Sequence, residues 1–221
     1  MKITEASNKL LEGISLSFEK KEFKLNKKKR EFVRDTNGCS QIVDLFFFKK
    51  GDSITIKPEI RIKINDIEAI YKTITSINDR PYLTLGNHLF EILRYKNEGS
   101  EKGVRTNALS NWLINDENDI CKLIEVIPEY LEETIIPYFD ENSSIDRVDK
   151  VLNKYPRELS VHNYLYPLRA NIAIIAAKLN ENPEFDKLVE IYEEELQDAE
   201  KTYKEEFYKL KKELKYNREN S

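Results

Sequence analysis

Glycine is scarce in this chain, with six among 221 residues. Neither GxGxxG nor GxxxxGKS/T occurs, which excludes the glycine-rich loops that cradle dinucleotides and nucleoside triphosphates. Cysteine is scarcer still. Cys39 and Cys121 lie far apart without CxxC spacing, so no disulfide framework or thiolate zinc site is encoded. Reduced thiols of a cytoplasmic protein are the simplest reading. The two histidines, His88 and His162, belong to no HxxxH or HExxH pattern. A metal site needs several ligands at short spacing on a rigid element, so neither metal nor cofactor is expected. No apolar run approaches the ~20 residues that span a bilayer. The first segment, MKITEASNKLLEGISLSFEKK, lacks the apolar core and cleavage site of a signal peptide. The expectation is a soluble cytoplasmic protein with no membrane partner.

What is present is charge and enough apolar residues for a core. Charged residues make up 34% and apolar residues 40%, the former above the usual ~25%. The charge is unevenly spread. Residues 1–64 hold 15 Lys and Arg against 9 Asp and Glu, and residues 65–221 hold 21 against 31. The basic excess is densest at Lys20, Lys21, Lys24 and Lys27–Arg30. A short basic run on an acidic protein reads first as a solvated turn rather than as a nucleic-acid face.

The clearest pattern is ITIKPEIRIKI, in which Ile54, Ile56, Ile60, Ile62 and Ile64 alternate with Thr55, Lys57, Glu59, Arg61 and Lys63. Such alternation predicts a strand with one dry and one wet face. Pro58 interrupts it and is expected at an edge or bulge, because proline cannot donate to a ladder. Upstream, REFVRDT (30–36), the turn Asn37-Gly38 and SQIVDLFFFKK (40–50) predict two more strands, joined to the third by Gly51-Asp52 in an antiparallel meander. YLTLG (82–86) and 107–114 are candidate further strands, 88–95 is either strand or helix, and KNEGSEKG (96–103) reads as an exposed loop.

The remainder is helical in pattern. Residues 4–20 place Leu10, Leu11, Ile14 and Phe18 on one face. Asn65 followed by Glu68 resembles a capping box opening a helix over 65–77. A helix from 115 is expected to kink at Pro128 and end at Pro137. Shorter helices follow at 144–154 and from Pro167, the latter apolar on several faces. From Pro183 to Tyr216 the stripe Val189, Tyr192, Leu196, Ala199, Tyr203 continues as Phe207, Leu210, Leu214 after a stutter. One unbroken helix of that length spans about 50 Å, so it either projects as a coiled-coil arm or folds back on the body. The predicted class is therefore α+β. A mainly antiparallel sheet domain (1–114), covered on one face by helices, is followed by a C-terminal helical section (115–221) ending in a long helix, 183–216.

Candidates for chemistry are sparse. Cys39 beside Ser40 has no histidine near it in sequence to generate a thiolate. Glu132-Glu133 and Glu193–Glu195 lie along helix surfaces, whereas acids that cooperate in hydrolysis face each other across a pocket. Phe46-Phe47-Phe48 beside Lys49-Lys50 has the composition of a stacking platform for single strands, but three consecutive residues of a strand cannot all point one way.

The order of elements carries a resemblance. Phe23-Lys24-Leu25, Arg30-Glu31-Phe32-Val33-Arg34, Ser40-Gln41-Ile42-Val43-Asp44, Asn111-Trp112-Leu113-Ile114 and Ile136-Pro137-Tyr138-Phe139-Asp140 follow one another between residues 4 and 145. The chain thereby resembles the bacterial family called domain of unknown function 4304. It departs from that pattern where Glu22 replaces a glycine and where one Trp stands in place of a pair. The resemblance implies the fold only, an α+β layer of sheet and helices, and no established activity comes with that family.

The expected function is a non-catalytic protein-interaction role, as in an immunity or antitoxin-like protein or an accessory subunit of a toxin or defence system. Its partner would be a basic protein or a second copy, met through Leu196, Tyr203, Phe207 and Leu210 of the terminal helix. The rival expectation is a nucleic-acid-binding or processing factor with Arg30, Arg34, Lys49, Lys50 and Arg61 lining a groove for phosphates.

Overall fold

A computed structural model describes residues 1–75, 83–99 and 112–216, with side chains to residue 214. Helix α1 (Ile3–Glu19) is followed by strands β1 (Lys24–Asn26), β2 (Glu31–Thr36), β3 (Cys39–Lys50) and β4 (Ser53–Ile64). Helix α2 (Asn65–Ile74), β5 (Leu85–His88), α3 (Leu89–Glu98) and β6 (Trp112–Ile114) complete this part. The sheet is antiparallel in the order β1-β2-β3-β4-β5, with β6 also on β4. The fold is α+β, with a helical section following the sheet.

The isoleucine alternation places one face of β4 in the core: Ile54, Ile56, Ile60 and Ile62 are 0–1% exposed. Each such burial contributes about 1.5–3 kcal/mol. Register puts Val43 opposite Ile60 and Phe47 opposite Ile56, so β3 lends its odd-numbered residues to the same face. Helix α1 lies on it. Phe18 stacks on Phe32 with ring centroids 4.0 Å apart and meets Phe23 edge-on at 5.7 Å. β4 is central rather than an edge, yet Pro58 is tolerated there. β6 pairs with Ile54–Ile56 and β5 with Glu59–Ile62, so Pro58 falls between them, where no ladder needs its N–H.

Asn65 does not cap α2. Ile64 occupies that position without a side-chain bond, and the Asn65 N–H donates to the Gly38 carbonyl. Glu68 instead turns inward and accepts from the Thr84 hydroxyl at 2.9 Å. Of 88–95, His88 ends β5 and caps α3, and the rest is helix, with α3 reaching Glu98 and stopping at Gly99 in a left-handed conformation (φ 67°). Thus 96–98 are helical, Gly99 ends the helix, and 100–103 lie outside the described residues, as do 76–82 and 107–111.

Helix α4 (Glu117–Tyr130) starts at Asp116, whose carboxylate accepts from the N–H groups of Asn118 and Asp119. Gly13 lets it approach α1: a Cβ there would lie 2.4 Å from Ile124 Cδ1. Neither proline ends the helix. Past Pro128 the chain widens into a π-helical turn, Leu131–Ile135, and continues as α5 (Ile136–Asn142). Pro137 thereby sits in the first turn of a new segment, where a missing N–H costs little. The Glu133 carbonyl, which an ordinary helix would pair with residue 137, accepts the Lys96 ammonium instead.

Helices α6 (Ile145–Asn153), α7 (Tyr166–Leu179), α8 (Phe185–Glu195) and α9 (Lys201–Tyr216) form the C-terminal section. α7 is buried on every side from Leu168 to Ala177, with α2, α6, α8 and α9 packed around it. One apolar core runs from α1 through the sheet to α9.

The expected single helix over 183–216 is two helices separated by a turn at 196–200. Lys211 Nζ lies 2.5 Å from Glu193 Oε1; along one straight helix those residues would be about 27 Å apart. The chain therefore reverses. The apparent stutter marks this break: α8 buries Val189 and Tyr192, and α9 buries Phe207, Leu210 and Leu214 on α7 and α2. No coiled-coil arm projects among the described residues. Leu210→Ala should accordingly lower stability by about 2–5 kcal/mol in urea denaturation. A change within about 0.5 kcal/mol would mean that α9 is not docked.

Candidate functional site

The face of the sheet opposite α1 holds the most unusual surface among the described residues. Because side chains alternate along β3, Phe47 enters the core while Phe46 and Phe48 emerge on the other side. They are 44% and 42% exposed, against 9% for Phe47. Register sets Phe48 beside Thr55 and Thr55 beside Leu113, which is 51% exposed. Phe46 lies beside Lys57 in the next row. Thr55 Oγ1 is buried between its neighbours and has no hydrogen-bond partner among the described residues. The result is an apolar patch on a rigid hairpin, centred on a hydroxyl.

Below the patch runs a row of charge. Arg61 binds the carboxylates of Asp44 and Glu31, the latter at 3.2 Å, and all three side chains are at most 13% exposed. Lys29 adds a contact to Glu31 at 3.6 Å, and Lys57 pairs with Glu59. Two buried acids share one guanidinium here. Burial pushes the Asp44 carboxyl up to about 6, with Arg61 opposing the rise and Glu31 assisting it.

The expected phosphate groove does not assemble. Arg34 lies on the covered face, bonded to Gln41 Oε1 at 2.6 Å and facing Asp140, while Arg61 is held in its ion pairs on the opposite face. Arg30 lies over the Phe47 ring at 5.7 Å, Lys49 donates to the Asp52 carbonyl, and Lys50 is exposed. Alternation puts Lys50 on the face of Phe46 and Phe48, whereas Lys49 and the Phe47 ring under Arg30 belong to the other, so the five cations line no common groove. The expected helical interface is also absent as a surface. Leu196, Phe207 and Leu210 are at most 3% exposed, and Tyr203 is half-buried.

A second concavity, about 260 Å³, lies between α3 and α5 and is lined by Ile92, Tyr95, Thr134, Tyr138 and Glu141. Behind it Tyr138 Oη and His162 Nδ1 are 3.1 Å apart, both residues buried. The pair is unsuited to proton transfer near neutral pH. Burial lowers the His162 pKa to about 3 and raises the Tyr138 phenol far above its ordinary value. His88 is also buried, its Nδ1 accepting from the Phe90 N–H as the cap of α3. Burial raises the Cys39 thiol, the wrong direction for a nucleophile. Glu132 pairs with Lys21, and Glu194 and Glu195 with Arg157. No cluster of metal-ligating side chains occurs among the described residues, and none of their helices is long and apolar enough to cross a membrane.

Sequence reasoning missed two features here. The Arg61–Asp44–Glu31 network joins residues from three strands, and only the pairing register brings them together. Leu113 joins the two phenylalanines through β6, across more than 60 residues of chain. The one available signal was the triple phenylalanine itself.

Arg61→Met should destabilise the protein by about 3–5 kcal/mol at pH 7, because two buried carboxylates lose their counter-charge. A folded-state pKa above the unfolded value of about 3.9 means the folded form holds the proton more tightly. The Asp44 contribution to stability therefore falls as pH rises from about 4 to about 6 and is flat above that. The cost of Arg61→Met should shrink at pH 5, and Asp44→Asn should remove the decline between pH 4 and 6. Urea denaturation at both pH values checks this; equal losses at pH 5 and 7 would contradict the assignment.

No protein-family model matches the chain, and no curated protein or solved structure matches it.

Proposed function

We propose that the protein acts without catalysis, by binding a partner protein on the β3–β4 hairpin face that carries Phe46, Phe48 and Leu113. The observation behind this is the patch itself. Three large apolar side chains are held in solvent in adjacent rows of a rigid ladder. Contiguous apolar surface rimmed by polar groups is characteristic of interfaces, and buried aromatics carry most of their binding energy. Lys57 and Glu59 supply such a rim. His88 serves in a helix cap, His162 bonds to Tyr138, and Glu132, Glu193, Glu194 and Glu195 are in ion pairs. An immunity-like or accessory-subunit role would use this surface, in place of the terminal helix.

Stacking of a single-stranded nucleic acid is the second reading, favoured by two exposed rings beside Lys49 and Lys50. The acids Glu31, Asp44 and Glu59 on the same face weigh against it.

The double variant Phe46→Ser, Phe48→Ser should remain folded, losing no more than about 3 kcal/mol, since each ring is only about half covered. In quantitative affinity capture from the native host, a partner held by the parent protein should be lost by this variant. Equal capture by both proteins would refute the assigned surface. Oligonucleotide binding at about 50 mM salt that weakens steeply by 200 mM would favour the nucleic-acid reading instead.

A further inference from the structure

Within that reading, the geometry points to how the partner is held: an extended, acidic segment of another protein adds as a strand to the outer edge of β3 between Phe46 and Lys50. β3 has 12 residues, but β2 pairs only with Cys39–Asp44. The last main-chain bond on that side runs from the Leu45 N–H to the Arg30 carbonyl, 3.2 Å. The hairpin then continues for five residues beyond β2. Its two-residue turn, Gly51-Asp52, makes Lys50 and Ser53 a hydrogen-bonded pair. Even-numbered residues of β3 therefore bond to β4, and odd-numbered ones face away, as the Leu45 bond to Arg30 confirms. Phe47 and Lys49 consequently direct both N–H and C=O outward, and no strand among the described residues meets them.

The far side of the sheet is treated differently. There the Gly86 N–H donates to the His162 carbonyl at 2.7 Å, closing the outer edge of β5, and Pro58 presents no donor in the gap beside it. A free, exposed edge is a template for strand addition.

Charge selects the occupant. The turn carrying Lys27–Arg30 joins β1 to β2 where β3 emerges, and Lys49 and Lys50 stand at the tip. The free edge thus lies between two basic groups. A second copy of the chain would bring the same cations against them, whereas acidic side chains complement both. Alternate residues of the added strand would extend the row begun by Phe46 and Phe48, so apolar residues should alternate with the acids.

The test is selection of random 12-residue peptides displayed against the intact protein, followed by amide hydrogen exchange of the complex with a synthesised winner. Selected peptides should be acidic with alternating apolar residues, and the Phe47 and Lys49 amides should exchange at least about tenfold more slowly in the complex. Lys49→Pro removes an outward N–H that the β3–β4 ladder does not use, so it should weaken binding at least about tenfold while the fold persists. Lys49→Glu with Lys50→Glu should weaken it also. Failure to select acidic peptides, or binding indifferent to Lys49→Pro, would overturn edge addition. Binding lost in Phe46→Ser, Phe48→Ser but retained in Lys49→Pro would leave the proposed binding face standing and remove only the added strand. Concentration-dependent dimerisation of the free protein through this edge would overturn the choice of partner.

Discussion

The β3–β4 ladder is the constraint on which the rest of the molecule depends. Twelve consecutive residue pairs, from Cys39–Ile64 to Lys50–Ser53, fix one register. A slip by one residue would invert every side chain, exposing five isoleucines and burying Lys57, Glu59, Arg61 and Lys63. That asymmetry holds the register. With it fixed, the inner face accepts α1, and the outer face receives Arg61 between Asp44 and Glu31. The ladder is also longer than its neighbours on either side. β2 covers only half of β3, and β5 and β6 divide β4 between them. The exposed rings and the free edge both follow from that mismatch in length.

The helical section solves a different problem, the burial of a helix that is apolar all round. α7 cannot stand at a surface, so α2, α6, α8 and α9 enclose it. Its one fully buried cation, Arg169, donates from its terminal nitrogens to the Pro156 carbonyl at 2.6 Å and the Glu158 carbonyl, with its guanidinium over Tyr166, while its Nε has no partner among the described residues. Asp149 performs the matching task for a carboxylate, accepting from the amides of Asn153, Asn180 and Asn182. These networks tie the ends of α6, α7 and α8 together. They account for these two buried charges without assigning them chemistry.

Legibility in the sequence followed the range of the interaction. Periodicity located α1, β2, β3, β4, α6 and α7 nearly to the residue, because each buries one face, or in α7 all faces, against a core. The two-residue turns at Asn37-Gly38 and Gly51-Asp52 were equally plain. Only Gly38 of the first pair has positive φ (77°), so the glycine suffices. Proline was misleading at Pro128 and Pro137. Helix α4 runs on through Pro128, a π-helical turn carries the backbone into Pro137, and no local pattern announces such a turn. The capping pattern at Asn65 failed because the chain enters α2 directly from β4, which leaves Ile64 in the cap position.

The surface assigned to binding was half visible. Three consecutive phenylalanines on a strand must divide between two faces, and their spacing alone requires that. Which face is wet, and that Leu113 completes the patch, depends on strand pairings across long stretches of chain. The terminal helix shows the converse. Its stripe is real, but a 3–4 repeat looks the same whether it faces a partner or its own core. The amino-acid pattern by itself determined which residues avoid water, since hydrophobicity and local periodicity belong to the chain. Only tertiary packing decided what they avoid it against, because α7 needs more cover than α2, α6 and α8 supply, and α9 turns back to provide it.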